Sequence, residues 1–554
     1  MTRSRSSRFL PLLALSACIS STPTGHEPGS LPPVELAAPA GPEWYRHAVF
    51  YEVFVRSFQD SNGDGKGDLP GLISRLDYLN DGDPSTTTDL GVDALWLMPV
   101  FASPSYHGYD VTDYERIHPD YGTNEDFERL CAEAHRRGMR VILDLVINHT
   151  SSQHPWFVDA ASSPGSAKRD WYLWSDTDLG WRPPWDLYAK GSTWHELNGA
   201  YYYGVFWGGM PDLNMQTPAV REEIKRIASF WLGKGADGFR LDAARYLIET
   251  GAGVQGQADT PETHAFWKEF SAYVRGVKPD AVLVGESWTT TPIIATYYGT
   301  TAQVPGGDEL PLNFNFPMAE ELMGAARSSD GNGLALKLAE MRSRYPAGVA
   351  DAPFLTNHDH VRVATQLSGD KARLSTAAAL LLTLQGSPFL YYGEEVGMAN
   401  GTTNNDEAKR TPMAWDASAS GGFTSGSPWF SLSPGHEGTN VAAQTKDPGS
   451  LLSRYRSLIH ARHASDALSR GGLRLLTSTQ GRSPTVAFLR VLGDERVLVV
   501  HNLTDDAQTA GPFELEGEPA EVLFGDAGVG SPVRNGSGWS VTLPARATGL
   551  WRLR

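Results

Sequence analysis

The chain has 554 residues, a formal net charge of −17 and 41% apolar residues. That length accommodates a barrel-sized domain plus smaller units, and that apolar content fills a large core. The acidic balance repels phosphate backbones, which argues against a nucleic-acid partner and suits a neutral, soluble substrate.

Arg3, Arg5 and Arg8 form a basic start, and Phe9 to Leu15 form a short apolar run. That run is too short to span a bilayer and has the pattern of an export signal. Leu15-Ser16-Ala17-Cys18 resembles a bacterial lipobox, in which the cysteine is acylated. Residues 1–18 are then a lipoprotein signal peptide. The exported protein is anchored to the cell envelope through lipid on Cys18, its only membrane contact. Residues 19–43 are rich in Pro, Ser, Gly and Ala and have the composition of a flexible tether. The other cysteine, Cys131, lies in a helical stretch. With Cys18 lipidated no internal disulfide is available, so stability rests on core size and bound ions. A monomer is expected.

From Trp44 onward, short apolar runs alternate with amphipathic helices. The predicted strands are Ala48–Val55, Val92–Met98, Arg140–Ile147, Gly238–Leu241, Ala281–Val284, Leu312–Phe316, Phe354–Thr356 and Phe389–Tyr391. Eight such runs separated by helices predict an α/β fold, a parallel sheet closed as a (β/α)₈ barrel over residues 44–148 and 208–465. Among the helices are Asn124–Arg137, stopped by Gly138, and Pro218–Leu232, stopped by Gly233. Residues 149–207 are too long and too aromatic for a simple loop, and predict a domain inserted after the third strand. Its Trp156, Trp171, Trp174, Trp181, Trp185, Trp194 and Tyr201–Tyr203 serve either a small core or sugar-stacking platforms. Residues 466–554 hold alternating runs, Thr485–Val491, Arg496–His501, Ala520–Phe524 and Ser540–Leu543, that predict a C-terminal antiparallel β-sandwich.

Four polar clusters end four of the predicted strands: Asp144–His149, Gly238–Ala244, Val284–Trp288 and Phe354–Asp359. Barrel enzymes keep their active sites at the C-terminal ends of the strands, so carboxylates from strands four, five and seven converge over one mouth. One acid alone is more often a cap or an ion-pair partner. A convergent pair makes glycoside hydrolysis a natural chemistry, with one carboxylate as nucleophile and one as proton donor. Arg240 lies two residues before Asp242, on the same strand face, and would keep it ionised. A proton donor needs a raised pKa, which predicts a less charged, more apolar setting for Glu286.

These clusters, in this order, resemble the conserved regions of the α-amylase family, glycoside hydrolase family 13. Ser103–Asp110, Met210–Asn214 and Gly386–Glu395 add to the resemblance, which covers about residues 44–554. It implies Asp242 as nucleophile, Glu286 as acid/base and Asp359 as transition-state stabiliser. It also implies sugar contacts from Tyr109, His149, Arg240, His358 and Arg362. The substrate class it implies is α-glucan: starch, maltodextrins or malto-oligosaccharides. An α-glucosidase or oligo-1,6-glucosidase, and a transglycosylase or trehalose-synthase-type isomerase, are the alternatives that share the triad. Ala243 stands where α-1,6-cutting relatives usually carry Val, and Tyr106 where exo-acting glucosidases tend to place Asp. Both features favour α-1,4 bonds.

Asp60-Ser61-Asn62-Gly63-Asp64-Gly65-Lys66-Gly67-Asp68 places oxygen-bearing residues at alternate positions, with glycines that let the loop fold back, which suits Ca²⁺. It is similar to the calcium loop of the oligo-1,6-glucosidase branch. That similarity implies Asp60, Asn62, Asp64, the Lys66 carbonyl and Asp68 as ligands of a structural calcium.

Overall fold

A computed structural model describes residues 34–554. The expected signal segment with Cys18, and the first part of the tether, lie outside the described residues. Seven parallel strands form one sheet in the order Leu312–Asn313, Val282–Gly285, Gly238–Leu241, Arg140–Leu145, Ala94–Leu97, Phe50–Val53 and Phe389–Tyr391. Two isolated parallel bridges, Phe314 to Ala352 and Phe354 to Phe389, join the sheet's edges. The predicted strand at Phe354–Thr356 is therefore reduced to single bridges. Pro353 lies between them and has no N–H to extend a ladder. The result is the expected eight-position barrel, with its seventh position thin.

The strands are buried on both faces, as parallel strands wrapped by helices must be. Trp96, Ile142, Val284 and Phe389 fill the barrel interior. Leu95, Leu97, Val141, Leu143 and Leu283 face the helices. The helix Asn124–Arg136 begins at Thr123, whose side chain and that of Asp126 cap each other's amides, and it ends before left-handed Gly138. The helix from Pro218 takes in Gly233, one residue past its predicted end at Leu232. Its left-handed glycine is Gly235, at φ +108°. There the Ala236 amide donates back to Trp231 O, closing the helix end.

Between the third and fourth barrel strands lie a helix, Pro155–Ser162, and a three-stranded antiparallel sheet of Trp174–Ser175, Ala200–Tyr203 and Trp194–Leu197. Trp194, Tyr203 and Val205 form a small core with Leu173, Trp181 and Tyr201 packed against it. Most of the segment's aromatics are thus structural. Trp185, half exposed, is not.

The C-terminal part holds a six-stranded and a three-stranded antiparallel sheet. Leu498 and Val500 face the small sheet through Ala510, Val541 and Leu543. Val497 and Val499, pointing the other way, belong to the main core. The large sheet is therefore buried on both faces, which explains the continuous apolar run Val497–Val500. Its edge strand is Glu35–Leu36, paired with Leu473 and Arg474. Those two residues were expected within the tether. They are held as a strand because Gly472–Leu475 offers an open edge. Among the described residues, no helix is long and apolar enough to cross a membrane.

Two buried arginines, Arg490 on this sheet and Arg462 on the helix Leu451–His463, converge on the same stretch of barrel backbone. Arg490 donates to Thr383 O and Leu384 O at 2.9 Å, and to Gly471 O at 2.8 Å. Arg462 donates to Leu382 O at 3.0 Å and to Leu384 O at 2.8 Å. These carbonyls include the last of the helix Lys371–Thr383, where a cation is favourable. Burial, with Arg462 as a like charge, pushes the Arg490 guanidinium well below its usual range. Arg490→Met would leave several buried carbonyls unpaired, each worth about 1–3 kcal/mol. Relief of the guanidinium's desolvation offsets part of that, for an expected net loss of about 2 kcal/mol or more. The denaturant midpoint should fall with an unchanged slope, and an unmoved midpoint would contradict the staple.

Candidate active site

The strand register brings the charged groups together. Arg240 pairs with Asp144 on the third strand, and Leu241 pairs with Gly285 on the fifth. The Glu286 amide donates to Leu241 O at 3.1 Å, so Glu286 sits one step beyond the ladder, beside Asp242. One fully buried guanidinium serves three carboxylates. Arg240 Nη1 lies 2.8 Å from Asp144 Oδ1 and 2.8 Å from Asp242 Oδ1, and Nη2 lies 2.9 Å from Glu286 Oε1.

A single positive charge cannot neutralise three buried acids, and their protonation follows from that. Burial pushes Glu286 up to about 8. Arg240 opposes the rise, and the charges of Asp242 and Asp359 reinforce it. Burial also pushes Asp144 up to about 7, against Arg240 and with Asp242. Asp359 goes the other way. Burial raises it, but His358, Arg410 and Arg240 together hold it down at about 2. The expected rise at Glu286 is present, but its setting is charged rather than apolar: desolvation and neighbouring carboxylates produce the shift.

A cavity of about 650 Å³ opens above these groups. Asp242, Glu286, Asp359, Tyr109 and His149 line it. The Tyr109 ring stacks on His358 with 17° between planes, and its hydroxyl lies 2.6 Å from His358 Nε2. His149 has protein partners at both ring nitrogens, Asn148 Oδ1 at 3.0 Å and Tyr109 O at 3.1 Å. His358 lies beneath the wall, its Nδ1 2.6 Å from Glu52 Oε1. The other side of the cavity is aromatic. Trp185 and Phe206 stack at 5.2 Å, and Trp288 lies flat against Phe316 at 4.6 Å.

Arg362, expected to contact the sugar, is placed elsewhere. It is 1% exposed, donates to Lys409 O and Tyr392 O, and packs over the rings of Tyr391 and Tyr392. It caps a short helix, Val363–Gln366, and turns toward the eighth strand rather than into the cavity. A guanidinium that does line the cavity is Arg410, which lies 3.0 Å from Asp359 Oδ1 and donates to Tyr106 Oη at 3.2 Å and to His358 O. Its long loop after the eighth strand carries no spacing that would have marked it. Glu52 also escaped the sequence reading, although an acid inside an apolar parallel strand is itself a signal.

The loop Asp60–Asp68 folds back on itself with Gly63 and Gly65 at φ +85° and +90°. Asp60 accepts from the amides of Asn62, Gly63 and Gly65, and Asp68 from Ser61. Asn62 and Asp64 each accept an amide two residues on, in the same alternate pattern. Hard oxygens on a tightly wrapped loop fit the chemistry of a calcium ion. Among the described residues, no group of three or more His, Cys, Asp and Glu side chains is clustered to hold a metal. Where the inserted segment meets the barrel, Asp212 and Glu249 are buried, each with one oxygen lacking a partner. Asn148 donates to Tyr246 O beside them.

Glu286 should titrate near 8 in a pH-dependent infrared difference spectrum between the wild type and Glu286→Gln. Asp242→Asn removes a like charge and should move that midpoint downward. A wild-type midpoint near the ordinary glutamate value would contradict this electrostatic arrangement.

The family model described as the alpha amylase catalytic domain matches residues 52–471. Alpha-amylase 3 of Dictyoglomus thermophilum is 44% identical over 87% of this chain and 89% of its own length. A trehalose synthase of a Pimelobacter species is 36% identical over 86% of this chain and 89% of its own. Among solved structures, the α-amylase from H. orenii matches with a TM-score of 0.79 and 38% identity, covering 92% of this chain and all of that one. An acid pair gathered by one buried guanidinium at a barrel mouth, and relatives matched along nearly the whole chain, lead to one conclusion: the protein belongs to the α-amylase family of glycoside hydrolases.

Proposed function

We propose that the enzyme is a retaining hydrolase of α-1,4-linked glucans, with starch, maltodextrins or malto-oligosaccharides as substrate. The observation that carries this reading is the shared hold of Arg240 on Asp242 and Glu286, at 2.8 and 2.9 Å, at the floor of the cavity. In this reading Asp242, oriented by the guanidinium, attacks the anomeric carbon. Glu286, raised to about 8, carries a proton at neutral pH and gives it to the departing glycosidic oxygen. The glycosyl-enzyme is then opened by water that Glu286 deprotonates, with net retention. Asp359, held ionised by Arg410, accepts hydrogen bonds from sugar hydroxyls as the ring distorts. The 44% identity to a protein named α-amylase supports hydrolysis over isomerisation. Ala243 and Tyr106, both small or neutral where α-1,6-acting or exo-acting relatives differ, support the α-1,4 preference.

Asp242→Asn and Glu286→Gln should each lower kcat by several orders of magnitude without lowering the melting temperature by more than a few degrees. Near wild-type turnover in either folded variant would remove the assignment. Product analysis on maltotriose, isomaltose and maltose settles the linkage. Isomaltose cleaved with the higher kcat/KM, or maltose rearranged rather than hydrolysed, would favour the other family activities.

We also infer that Asp60, Asn62, Asp64, the Lys66 carbonyl and Asp68 hold a structural calcium, and that lipid on Cys18 anchors the exported enzyme. A ligand that binds only the folded state stabilises it by mass action. Chelation should therefore lower the melting temperature while sparing low-temperature activity. Asp64→Ala with unchanged metal content and melting temperature would exclude the site.

A further inference from the structure

Ala243 follows the proposed nucleophile and takes a backbone conformation that its side chain disfavours. Its φ is +50°, in the left-handed region where non-glycine residues other than Asn and Asp are uncommon. The surroundings hold it there. The Tyr246 amide donates to Ala243 O at 3.0 Å, and the Trp267 indole donates to Ala244 O at 2.8 Å. The consequence is directional. The Ala243 N–H points at Glu286 and donates to Oε2 at 2.9 Å. Glu286 Oε1 meets Arg240 on its other side, so the two oxygens are held by different groups. Strain at a site that aims a group at the chemistry is a recognised sign of positioning.

We propose that the left-handed turn at Ala243 is a positioning device that uses one main-chain amide to orient the Glu286 carboxyl and tune its proton affinity. This rests on the reading of Glu286 as acid/base, and goes beyond any steric role of the Ala243 side chain. The groups facing Glu286 are Arg240 and Asp242 from the fourth strand, Asp359 from the loop after the seventh position, and Tyr246 from the turn itself. The main-chain donor to the Glu286 carboxyl is the Ala243 amide, and its direction depends on the conformation of Ala243. An amide donated to a carboxylate favours its ionised form, so losing it raises the carboxyl's pKa.

The test is the pH profile of kcat/KM on maltotriose for the wild type and for Ala243→Gly, Ala243→Asn and Ala243→Val. Asn and Val both add bulk to the cavity, but Asn tolerates the left-handed region and a β-branched residue does not. The basic limb, which reports loss of the acid's proton, should stay near its wild-type position in the Gly and Asn variants. In the Val variant it should move to higher pH by about half a unit or more. Ala243→Gly should also hold or raise the melting temperature, because glycine adopts this φ without penalty. That readout stands even if the Val variant fails to fold. A Val limb coincident with wild type, an Asn limb displaced as far as that of Val, or a Gly variant that melts several degrees lower would each overturn the proposal. Glu286→Gln is run in parallel. If the limb survives there, it does not belong to Glu286 and the acid/base assignment itself falls. If that variant is inactive while Val leaves the limb unmoved, only the role of the Ala243 turn is lost.

Discussion

The electrostatics of the active site depend on one buried guanidinium. Arg240 is completely enclosed, stands over the Trp96 ring, and is the shared counter-ion of Asp144, Asp242 and Glu286. A buried arginine without acids would carry a large desolvation cost, and three buried acids without the arginine would carry a larger one. The arrangement therefore stands only as a set. It also leaves a fixed excess of carboxylates. The excess is resolved by protonation, and geometry decides where the proton sits. Burial and neighbouring carboxylates raise both Glu286 and Asp144, whereas Asp359, paired with Arg410, is held low.

The rest of the chain keeps that set in place. The barrel register sets Arg240 level with Asp144 on one neighbouring strand, and sets Asp242 level with Glu286 just past the end of the other. Arg490 bonds the six-stranded C-terminal sheet to the end of the helix Lys371–Thr383, which follows the thin seventh position. Two further acids of the barrel floor, Glu52 and Asp144, form no part of the cavity lining. Their place is beneath it. Glu52 holds His358, and His358 in turn touches Tyr109, so the wall of the cavity is oriented from below by a chain of buried polar contacts.

Most of this architecture was legible in the sequence because it follows from local pattern. Strand-length apolar runs ending in Asp, Glu or His, separated by capped helices, mark both the barrel and its mouth. Patterns fail where tertiary pairing decides. Pro353 thinned the seventh strand, and the open edge at Gly472–Leu475 captured Glu35–Leu36 out of a Pro-rich stretch. The arginine at the site was misassigned for a similar reason. Arg362 follows the Asn357-His358-Asp359 cluster closely and Arg410 is some fifty residues away, yet side-chain direction sends the first under the eighth strand and the second to Asp359. The aromatic insert shows the same limit, since composition cannot separate Trp194, in a small core, from Trp185, on the cavity wall.

That separation has a consequence for recognition. The cavity is two-sided: charged groups form its floor, and Trp185, Phe206 and Trp288 form much of its wall. A glycoside matches both sides at once, because a pyranose ring has hydroxyls at its edge and C–H groups on its faces. The floor can bind the hydroxyls of the ring that is cleaved, where charge develops in the transition state. The aromatic wall has little to offer a developing charge and much to offer an uncharged ring that must be held and later released. The division also follows the chain. The floor comes from the barrel strands, whose register is fixed. Trp185 and Phe206 come from the inserted segment, and Trp288 from the loop after the fifth strand. On the proposed reading, bond cleavage falls to side chains placed by the barrel register, and contact with the partner ring falls to segments outside that register.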